Sequence, residues 1–169
     1  LMPASDISEQ ISLAGTEASG TGCMKLMLNG AVTLGTLDGA NIEIKEAAGD
    51  DNIVIFGMTT PEVNALKARG YNSNDYFNND VRIKEAILRM YNGINGCTFN
   101  DVADSLKNRD PYMVLADFDS YRKAQAYITE CYNDRMKWAK MSLNNIAGAG
   151  IFSADRAVTE YADNIWYLR

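Results

Sequence analysis

Short apolar runs alternate with amphipathic segments over the first seventy residues of the chain. Residues 31–36 and 52–56 are rich in apolar and β-branched side chains, which predicts two buried strands. Residues 41–48 have the composition of a short helix, and residues 60–70 begin with a Thr-Pro-Glu sequence and end at a glycine, as capped helices do. Because strands and helices alternate, we expect a parallel sheet with crossover helices.

Apolar residues recur at helical spacing after residue 80, where strand signals almost disappear. We therefore predict one α/β unit, with the α/β part over about residues 1–70 and mainly helices over about 71–169. Trp138 and Trp166 fall within predicted helices and are interpreted as core or docking residues. The apolar stripes are Ile83, Ile87, Met90 and Ile94; Tyr121, Ala124, Ile128 and Cys131; and, behind a Ser153 cap, Val158, Tyr161, Ala162 and Ile165.

The first residues have the pattern of an interrupted element. Leu1 and Met2 are an apolar pair that leads directly into polar turn residues, which is typical of the end of a buried strand. We therefore expect the sequence to be a piece of a longer protein.

The composition excludes several classes of function. The 169 residues include no histidine, so Ser-His-Asp catalysis, Cys-His catalysis and HExxH zinc sites are impossible. The formal net charge of −6 argues against a nucleic-acid partner. No apolar run reaches the length of about 18 residues that a membrane span needs, so we expect no membrane association. Three widely spaced cysteines without a CxxC motif predict free thiols in a reducing, cytoplasmic compartment: Cys23, Cys97 and Cys131.

A glycine-rich segment is the strongest candidate for chemistry. Gly20 and Gly22 flank Thr21 just before the apolar residues 24–28, as in a loop that leads into a helix. Such a loop brings backbone amides, a hydroxyl and the positive end of a helix together, as phosphate sites require. The GxGxxG and P-loop motifs are nevertheless absent. By themselves, these residues fit either a phosphate site or an ordinary tight turn.

Lys25 follows this segment and is flanked by apolar residues. A helix or turn would place its amine beside apolar groups, and the loss of hydration would favour the neutral, nucleophilic form. The alternative is a lysine whose amine reaches solvent. A phosphate-binding turn beside a reactive lysine suits pyridoxal phosphate, since this cofactor carries both an aldehyde and a phosphate.

Four carboxylates are weaker candidates for functional residues than the glycine-rich segment and Lys25. Glu17 is either a contact for a polar substrate or a solvated or capping residue. Asp38, Asp50 and Asp51 lack the remaining pattern of a divalent-metal site, so they are interpreted as turn and cap residues. No metal site is predicted.

The motifs around the lysine resemble those of a known family. The cofactor-lysine segment of the glycogen, starch and maltodextrin phosphorylases closely resembles residues 17–22, Met24-Lys25 and residues 27–30. The likeness spans nearly the whole chain and is patchy between residues 72 and 135. Further similar segments are residues 3–4, 6–12, 35–43, 56–58, 69–71, 145–147, 152–156 and 161–166.

This resemblance implies the C-terminal portion of an α-glucan phosphorylase that depends on pyridoxal phosphate. In the family, inorganic phosphate cleaves the terminal α-1,4 glucosyl unit of a glucan and releases glucose 1-phosphate with retention. Lys25 corresponds to the Schiff-base lysine that anchors the cofactor, and Thr21 and Gly22 correspond to part of the cradle for its phosphate. The implied contacts to the hydroxyls of the glucosyl unit are Glu17, Ser19 and Gly20.

The family also implies a fold and a larger assembly. Its members have a two-domain, GT-B-like fold with the active site between Rossmann-like domains, and this chain corresponds to part of the C-terminal one. Because the N-terminal domain with its sugar-binding histidine lies outside the sequence, we expect the isolated chain to be inactive and the parent to be a homodimer. Cys23 stands where asparagine is common, and we expect it to point away from the face of Lys25.

A non-catalytic alternative remains open at this point. The chain would then be an autonomous folding and docking module that binds pyridoxal phosphate weakly or not at all. Its terminal helices, residues 153–168, would pack against the missing domain and expose an apolar stripe in isolation.

Overall fold

A three-stranded parallel sheet organises the first third of the chain in the computed structural model, which describes residues 1–168. The strands are Ile7–Gln10 (β1), Val32–Thr36 (β2) and Val54–Phe56 (β3), in the spatial order β1-β2-β3. Ser8 pairs with Thr33, and Gly35 pairs with Ile55, so β2 lies between the other two strands. The predicted parallel sheet is confirmed.

Each strand is followed by a helix, because parallel neighbours need a crossover connection. Helix α1 (Gly22–Leu28) joins β1 to β2, α2 (Asn41–Ala48) joins β2 to β3, and α3 (Thr60–Arg69) follows β3. The predicted start of α3 is confirmed, although its N-cap is Thr59, which shares a capping box with Glu62. The predicted end at Gly70 is also confirmed, since this residue adopts a left-handed conformation.

The remainder of the described chain is helical. Helices α4 to α6 and α9 are short, whereas α7 and α8 are longer and are connected through Asp134, whose side chain caps α8. A π-helix, Ala162–Trp166, follows α9. The helices are α4 (Ser73–Asn79), α5 (Val81–Asn92), α6 (Asn100–Asn108), α7 (Val114–Asn133), α8 (Arg135–Gly148) and α9 (Ala154–Tyr161), with 3₁₀ turns at Met2–Ala4, Asp50–Asn52 and Ala149–Phe152.

Apolar side chains on both sides of the sheet form the core. One cluster places Ala124, Ile128 and Cys131 of α7 against the side chains that β2 and β3 direct to one face. A second cluster joins α1 and α2 to Ile53 and Ala149. The strand side chains in the first cluster are Val32, Leu34, Val54 and Phe56.

Helices α4 to α6 form a separate layer at the start of α7. Phe77, Ile83, Ile87, Ala103 and Leu115 are buried together there. This satellite cluster has no strand residue among its members, and it holds the first turn of α7 in place.

The sequence-based expectations are wrong at three places. Leu1 is fully exposed and precedes a 3₁₀ turn, so the apolar pair does not belong to a buried strand. Strand β1 was not predicted, because its residues are mostly polar; Ser8 is buried in it although it carries a hydroxyl. Ile94 lies beyond the end of α5 and pairs with Cys97 in a short bridge instead of extending the helical stripe.

The two tryptophans differ in their surroundings. Trp138 packs partly buried against the core beneath α7, as expected for a core residue. Trp166 is exposed and stacks on Tyr161, with ring centroids 5.7 Å apart. The Ser153 cap is confirmed by its hydrogen bond from the Arg156 amide, but α9 ends at Tyr161 and the chain continues as the π-helix.

Among the described residues, no helix has the length and apolar character needed to cross a membrane. All three cysteines are free thiols, as predicted; Cys23 and Cys131 are buried and Cys97 is exposed.

Candidate functional site

The candidate residues lie at the carboxyl edge of the sheet. The segment 11–21 follows β1, and residues 37–40 follow β2. Loops at this edge form the usual ligand-binding crevice of open parallel sheets. The topology therefore gives the predicted residues a position in which a ligand can reach them.

A buried carboxylate holds the loop after β1. Asp38 is 5% exposed and accepts hydrogen bonds from the Gly15 amide at 2.8 Å, the Glu17 amide at 2.9 Å and the Ser12 hydroxyl at 3.1 Å. Three donors on one segment thus converge on a single side chain of the next turn. Asp38 fixes the backbone at Glu17, the first residue of the glycine-rich motif.

The environment of Asp38 favours its ionised form. Burial by itself would raise the pKa of this carboxyl, but hydrogen bonds from the Glu17 and Gly15 amides and from the Ser12 hydroxyl outweigh that effect and lower the pKa below its usual value. The charge is therefore stabilised by local dipoles.

Neighbouring contacts reinforce this loop. The Thr36 hydroxyl donates a hydrogen bond of 2.6 Å to the Ser12 carbonyl, and the buried Asn41 amide group donates one of 2.9 Å to the Thr36 carbonyl. Gly39 has a φ of +50°, and a Cβ there would lie 2.9 Å from Cγ of Glu17. Glycine at this position lets the Glu17 side chain pack closely over the turn.

Gly20 and Gly22 are glycines that the fold itself does not require. Neither has a positive φ. A Cβ on Gly22 would meet nothing within 4 Å, and one on Gly20 would make only an ordinary contact with the Cys23 sulfur at 3.7 Å. The space over this backbone is therefore open to an external group.

Helix α1 separates its side chains into two faces. Thr21 and Lys25 are four residues apart and exposed on one face, and Gly22 lies beside them. The opposite face is buried and carries Cys23 and Met27. The expectation that Cys23 points away from Lys25 is confirmed.

Cys23 supports the backbone of the loop. Its thiol donates a hydrogen bond of 3.0 Å to the Gly20 carbonyl. Burial raises the pKa of the thiol, opposed by hydrogen bonds from the amides of Met24 and of Cys23 itself. This cysteine is therefore a structural thiol and not a nucleophile.

Lys25 is exposed, so the expected placement of its amine among apolar groups is wrong. The apolar neighbours in sequence face other directions: Met27 is fully buried, and Met24 packs against the α1–α2 cluster. The alternative of a lysine that reaches solvent describes this chain. Glu17 and Ser19 are also exposed, and Gly20 is half-buried, all within the segment that ends at α1.

Asp38 is the residue whose importance sequence reasoning missed. Its interpretation as a turn residue was correct in position, but its hydrogen bonds reach 21 to 26 residues back along the chain. An Asp-Gly pair shortly after a buried strand is the only signal in the sequence that points to it.

Within the described part of the chain, no cluster of three or more His, Cys, Asp or Glu side chains is placed to hold a metal ion.

Comparisons with known proteins extend over nearly the whole chain. The family model described as carbohydrate phosphorylase matches residues 1–168. A glycogen phosphorylase from Synechocystis sp. is 48% identical over 171 residues, covering 99% of this chain and 20% of the relative. The brain form of glycogen phosphorylase from Ovis aries is 45% identical and the muscle form from Rattus norvegicus 44%, with 98% and 99% of this chain covered. The chain thus spans about 20% of the length of these relatives.

Proposed function

Since this chain belongs to the carbohydrate phosphorylase family, we propose that it forms the cofactor-binding part of an α-glucan phosphorylase. In the proposed reaction, inorganic phosphate cleaves the terminal α-1,4 glucosyl unit of a glucan and glucose 1-phosphate leaves with retained configuration. The relatives named glycogen phosphorylase support this activity for the parent protein.

The open backbone at Gly20 and Gly22 is the observation that carries the proposal. Neither the backbone conformation nor the packing requires glycine at these two positions. Glycine there does permit an anion to approach the amides closely, which a side chain would prevent. The Thr21 hydroxyl, which makes no capping hydrogen bond, is a further donor beside them.

The residues fit pyridoxal phosphate as the resident cofactor. When bound, this group supplies an aldehyde that a lysine can anchor and a phosphate that can exchange a proton with the substrate phosphate. Lys25 would hold the aldehyde end, while Thr21 and Gly22 would hold the phosphate, because the exposed Thr21 and Lys25 flank the first turn of α1, which Gly22 begins. The exposed amine leaves the lysine accessible to a carbonyl group.

Glu17, Ser19 and Gly20 would bind the hydroxyls of the glucosyl unit. The two side chains are exposed and bear a carboxylate and a hydroxyl, which are suitable partners for sugar hydroxyls. Asp38 would orient Glu17 by fixing its backbone amide. In this proposal Asp38 is a positioning residue.

The parent protein would be a larger assembly. The three parallel strands would be part of the Rossmann-like C-terminal domain of a GT-B-like enzyme, with about residues 1–70 as its α/β part and about 71–169 as a mainly helical part. An N-terminal domain would close the site from the other side. The parent would be a cytoplasmic homodimer.

Reductive labelling tests the cofactor site. We expect the chain, incubated with pyridoxal phosphate and reduced with borohydride, to carry the adduct mainly on Lys25 and not on the exposed Lys67 of α3. Gly22→Ala should fold with unchanged stability, since its Cβ meets nothing, and should lower labelling of Lys25 several-fold. Peptide mapping by mass spectrometry measures both.

Gly150→Ala is the matched control for Gly22→Ala. Its Cβ would also meet nothing within 4 Å, but it lies outside the loop and should leave the labelling unchanged. Equal labelling of Lys25 in the Gly22→Ala and unaltered chains would contradict the phosphate cradle. Scattered labelling of surface lysines would contradict the site as a whole.

The isolated chain is expected to release no glucose 1-phosphate from an α-glucan and inorganic phosphate. It contains no histidine and spans about 20% of its relatives, so groups that close the site from the other side are absent. A coupled assay with a full-length glycogen phosphorylase as positive control measures the release. Turnover by the pure chain would refute this expectation.

A docking role has one observation in its favour. Val158, Tyr161, Ile165 and Trp166 are each more than half exposed along the terminal helical segment. If this stripe drives association, sedimentation velocity should show an s-value that rises with concentration, and Trp166→Glu should abolish the rise. A monomer at all concentrations would argue against a docking module.

A further inference from the structure

A small cleft lies at the carboxyl edge of the sheet, beside the first two turns of α7. It has a volume of about 250 Å³ and is open to solvent at Tyr112, which is 64% exposed. Its walls come from the segment after β1, the end of β3 and the start of α7. None of the residues assigned above to the cofactor or the sugar lines it. Most of the lining side chains are apolar or aromatic, among them Leu13, Phe56, Phe118 and Tyr121.

Asp117 is the one charged residue of the described chain that lines this cleft. It is 8% exposed, and its Oδ1 accepts a hydrogen bond of 2.8 Å from the Met58 amide. Its Oδ2 makes no hydrogen bond or ion pair with any group of residues 1–168, yet this oxygen is not fully enclosed by the protein. A ligand in the cleft can therefore reach Oδ2.

The charge of Asp117 has no counter-ion within residues 1–168. The other charges that act on it, those of Asp110 and Glu62, are also negative. Arg82 lies over the ring of a lining phenylalanine but is engaged in ion pairs with two other carboxylates. Burial raises the pKa of Asp117, opposed by the hydrogen bond from the Met58 amide, and the two acidic neighbours raise it further. Because buried charges in proteins are normally paired, a cation from outside would offset a cost that the fold leaves uncompensated.

The aromatic side chains of the cleft suit an organic cation. Phe56 and Tyr121 meet edge to face, with ring centroids 5.1 Å apart, and Tyr112 and Phe118 add two further rings. Aromatic rings attract an ammonium group electrostatically. They also favour the burial of an apolar group attached to it. The cleft thus combines one carboxylate oxygen with an aromatic lining.

We propose that this cleft binds a small organic amine in its ammonium form. The ammonium group would donate a hydrogen bond to Oδ2 of Asp117, and the apolar body of the amine would lie among the aromatic rings. An anion would be repelled by the carboxylate, and a neutral molecule would leave its charge unpaired. This site goes beyond the proposed phosphorolysis and does not depend on it, since its residues hold neither the cofactor nor the sugar.

Titration of the chain alone with 2-phenylethylamine tests the site, because this amine is charged at pH 7 and carries an aromatic ring. In a ¹⁵N-labelled chain, the Met58 amide resonance reports on the cleft, since this amide donates to Asp117. We expect a saturable shift of that resonance. Asp117→Asn should weaken binding at least about tenfold, because it removes the charge but keeps an acceptor for the Met58 amide. Absence of a saturable shift in the unaltered chain would overturn the site.

Glu130→Gln is the matched control for Asp117→Asn. Glu130 lies on the same helix at an exposed position away from the cleft, so its replacement removes one negative charge without touching the ligand. The affinity should stay unchanged, since solvent screens an exposed charge. Equal weakening by the two variants would overturn the contact with Asp117.

The charge and the apolar body of the ligand are tested separately. 2-Phenylethanol has the same ring without the charge and should bind at least about tenfold more weakly; equal affinity would overturn the assignment to a cation. Tighter binding of N-acetyl-lysine amide would indicate a lysine side chain as the occupant and overturn the assignment to a free amine.

Tyr112→Ala provides a second variant if Asp117→Asn does not fold. Tyr112 is largely exposed, so its truncation should leave the fold intact. Because it removes one ring of the lining, it should weaken the binding of 2-phenylethylamine several-fold. An unchanged affinity would overturn the aromatic lining as part of the site.

Discussion

Gly148→Ala is expected to lower the free energy of unfolding by about 3 kcal/mol, as overpacking in a tight core does. Gly148 ends α8 against the end of α2, and a Cβ there would lie 2.4 Å from the carbonyl oxygen of Ala47. The atoms nearest to that Cβ all belong to the backbone of Ala47 and Ala48, so they cannot move aside as a flexible side chain would. The helices must separate, which opens the cluster that joins α1 and α2. Urea denaturation followed by circular dichroism measures the loss.

Gly150→Ala separates this steric effect from a general effect of alanine. Neither glycine has a positive φ, but a Cβ on Gly150 would meet nothing within 4 Å. We expect its stability to change by less than about 0.5 kcal/mol. Equal stability of the two variants would show that α2 and α8 are not in the close contact described here.

Asp38→Asn is expected to cost about 2 kcal/mol at pH 7, because one carboxylate oxygen is replaced by a donor that faces backbone donors. The Gly15 or Glu17 amide would then be left without its acceptor. Since these amides define the loop after β1, labelling of Lys25 by pyridoxal phosphate should fall as well. Urea denaturation of this variant measures the loss of stability, and peptide mapping of the same variant measures the labelling of Lys25.

The stability lost in Asp38→Asn should depend on pH with a definite sign. The folded-state pKa of Asp38 is lowered, so its ionised form stabilises the fold above the ordinary pKa of about 4, and that stabilisation disappears as the pH falls through the folded-state value. The difference in the free energy of unfolding between the unaltered chain and Asp38→Asn should therefore be constant from pH 6 to 7 and shrink below about pH 4. Asp51→Asn, at an exposed position, is the control and should leave the free energy of unfolding at pH 7 almost unchanged. A difference that grows in acid would contradict this account.

Local signals predicted the elements that depend on local contacts. The start of α3 was recognisable from its Thr-Pro-Glu sequence, because a capping box forms within four residues. Strand β1 escaped prediction because its residues are mostly polar and it is held in the sheet by backbone pairing with β2. Backbone pairing of that kind depends on a strand more than twenty residues away and leaves no alternation of apolar and polar residues in the sequence.

In the candidate site, too, the features that depend on neighbouring residues could be predicted and the others could not. The glycine-rich segment and Lys25 stand together in the sequence, so their placement on and before α1 could be predicted. The exposure of Lys25 could not, because flanking apolar residues do not show which face of a short helix is covered. The role of Asp38 depends on donors more than twenty residues away and became visible only in three dimensions.

The order of the chain has a consequence for synthesis of the protein. Synthesis of β3 completes the apolar strand face, which consists of Val32, Leu34, Val54 and Phe56. Helix α7, which covers this face, begins only at Val114. At about 5–20 residues per second, a ribosome needs several seconds to cross that interval. During those seconds the nascent chain exposes an apolar strand face, so this stretch of translation is where a holding chaperone would matter most.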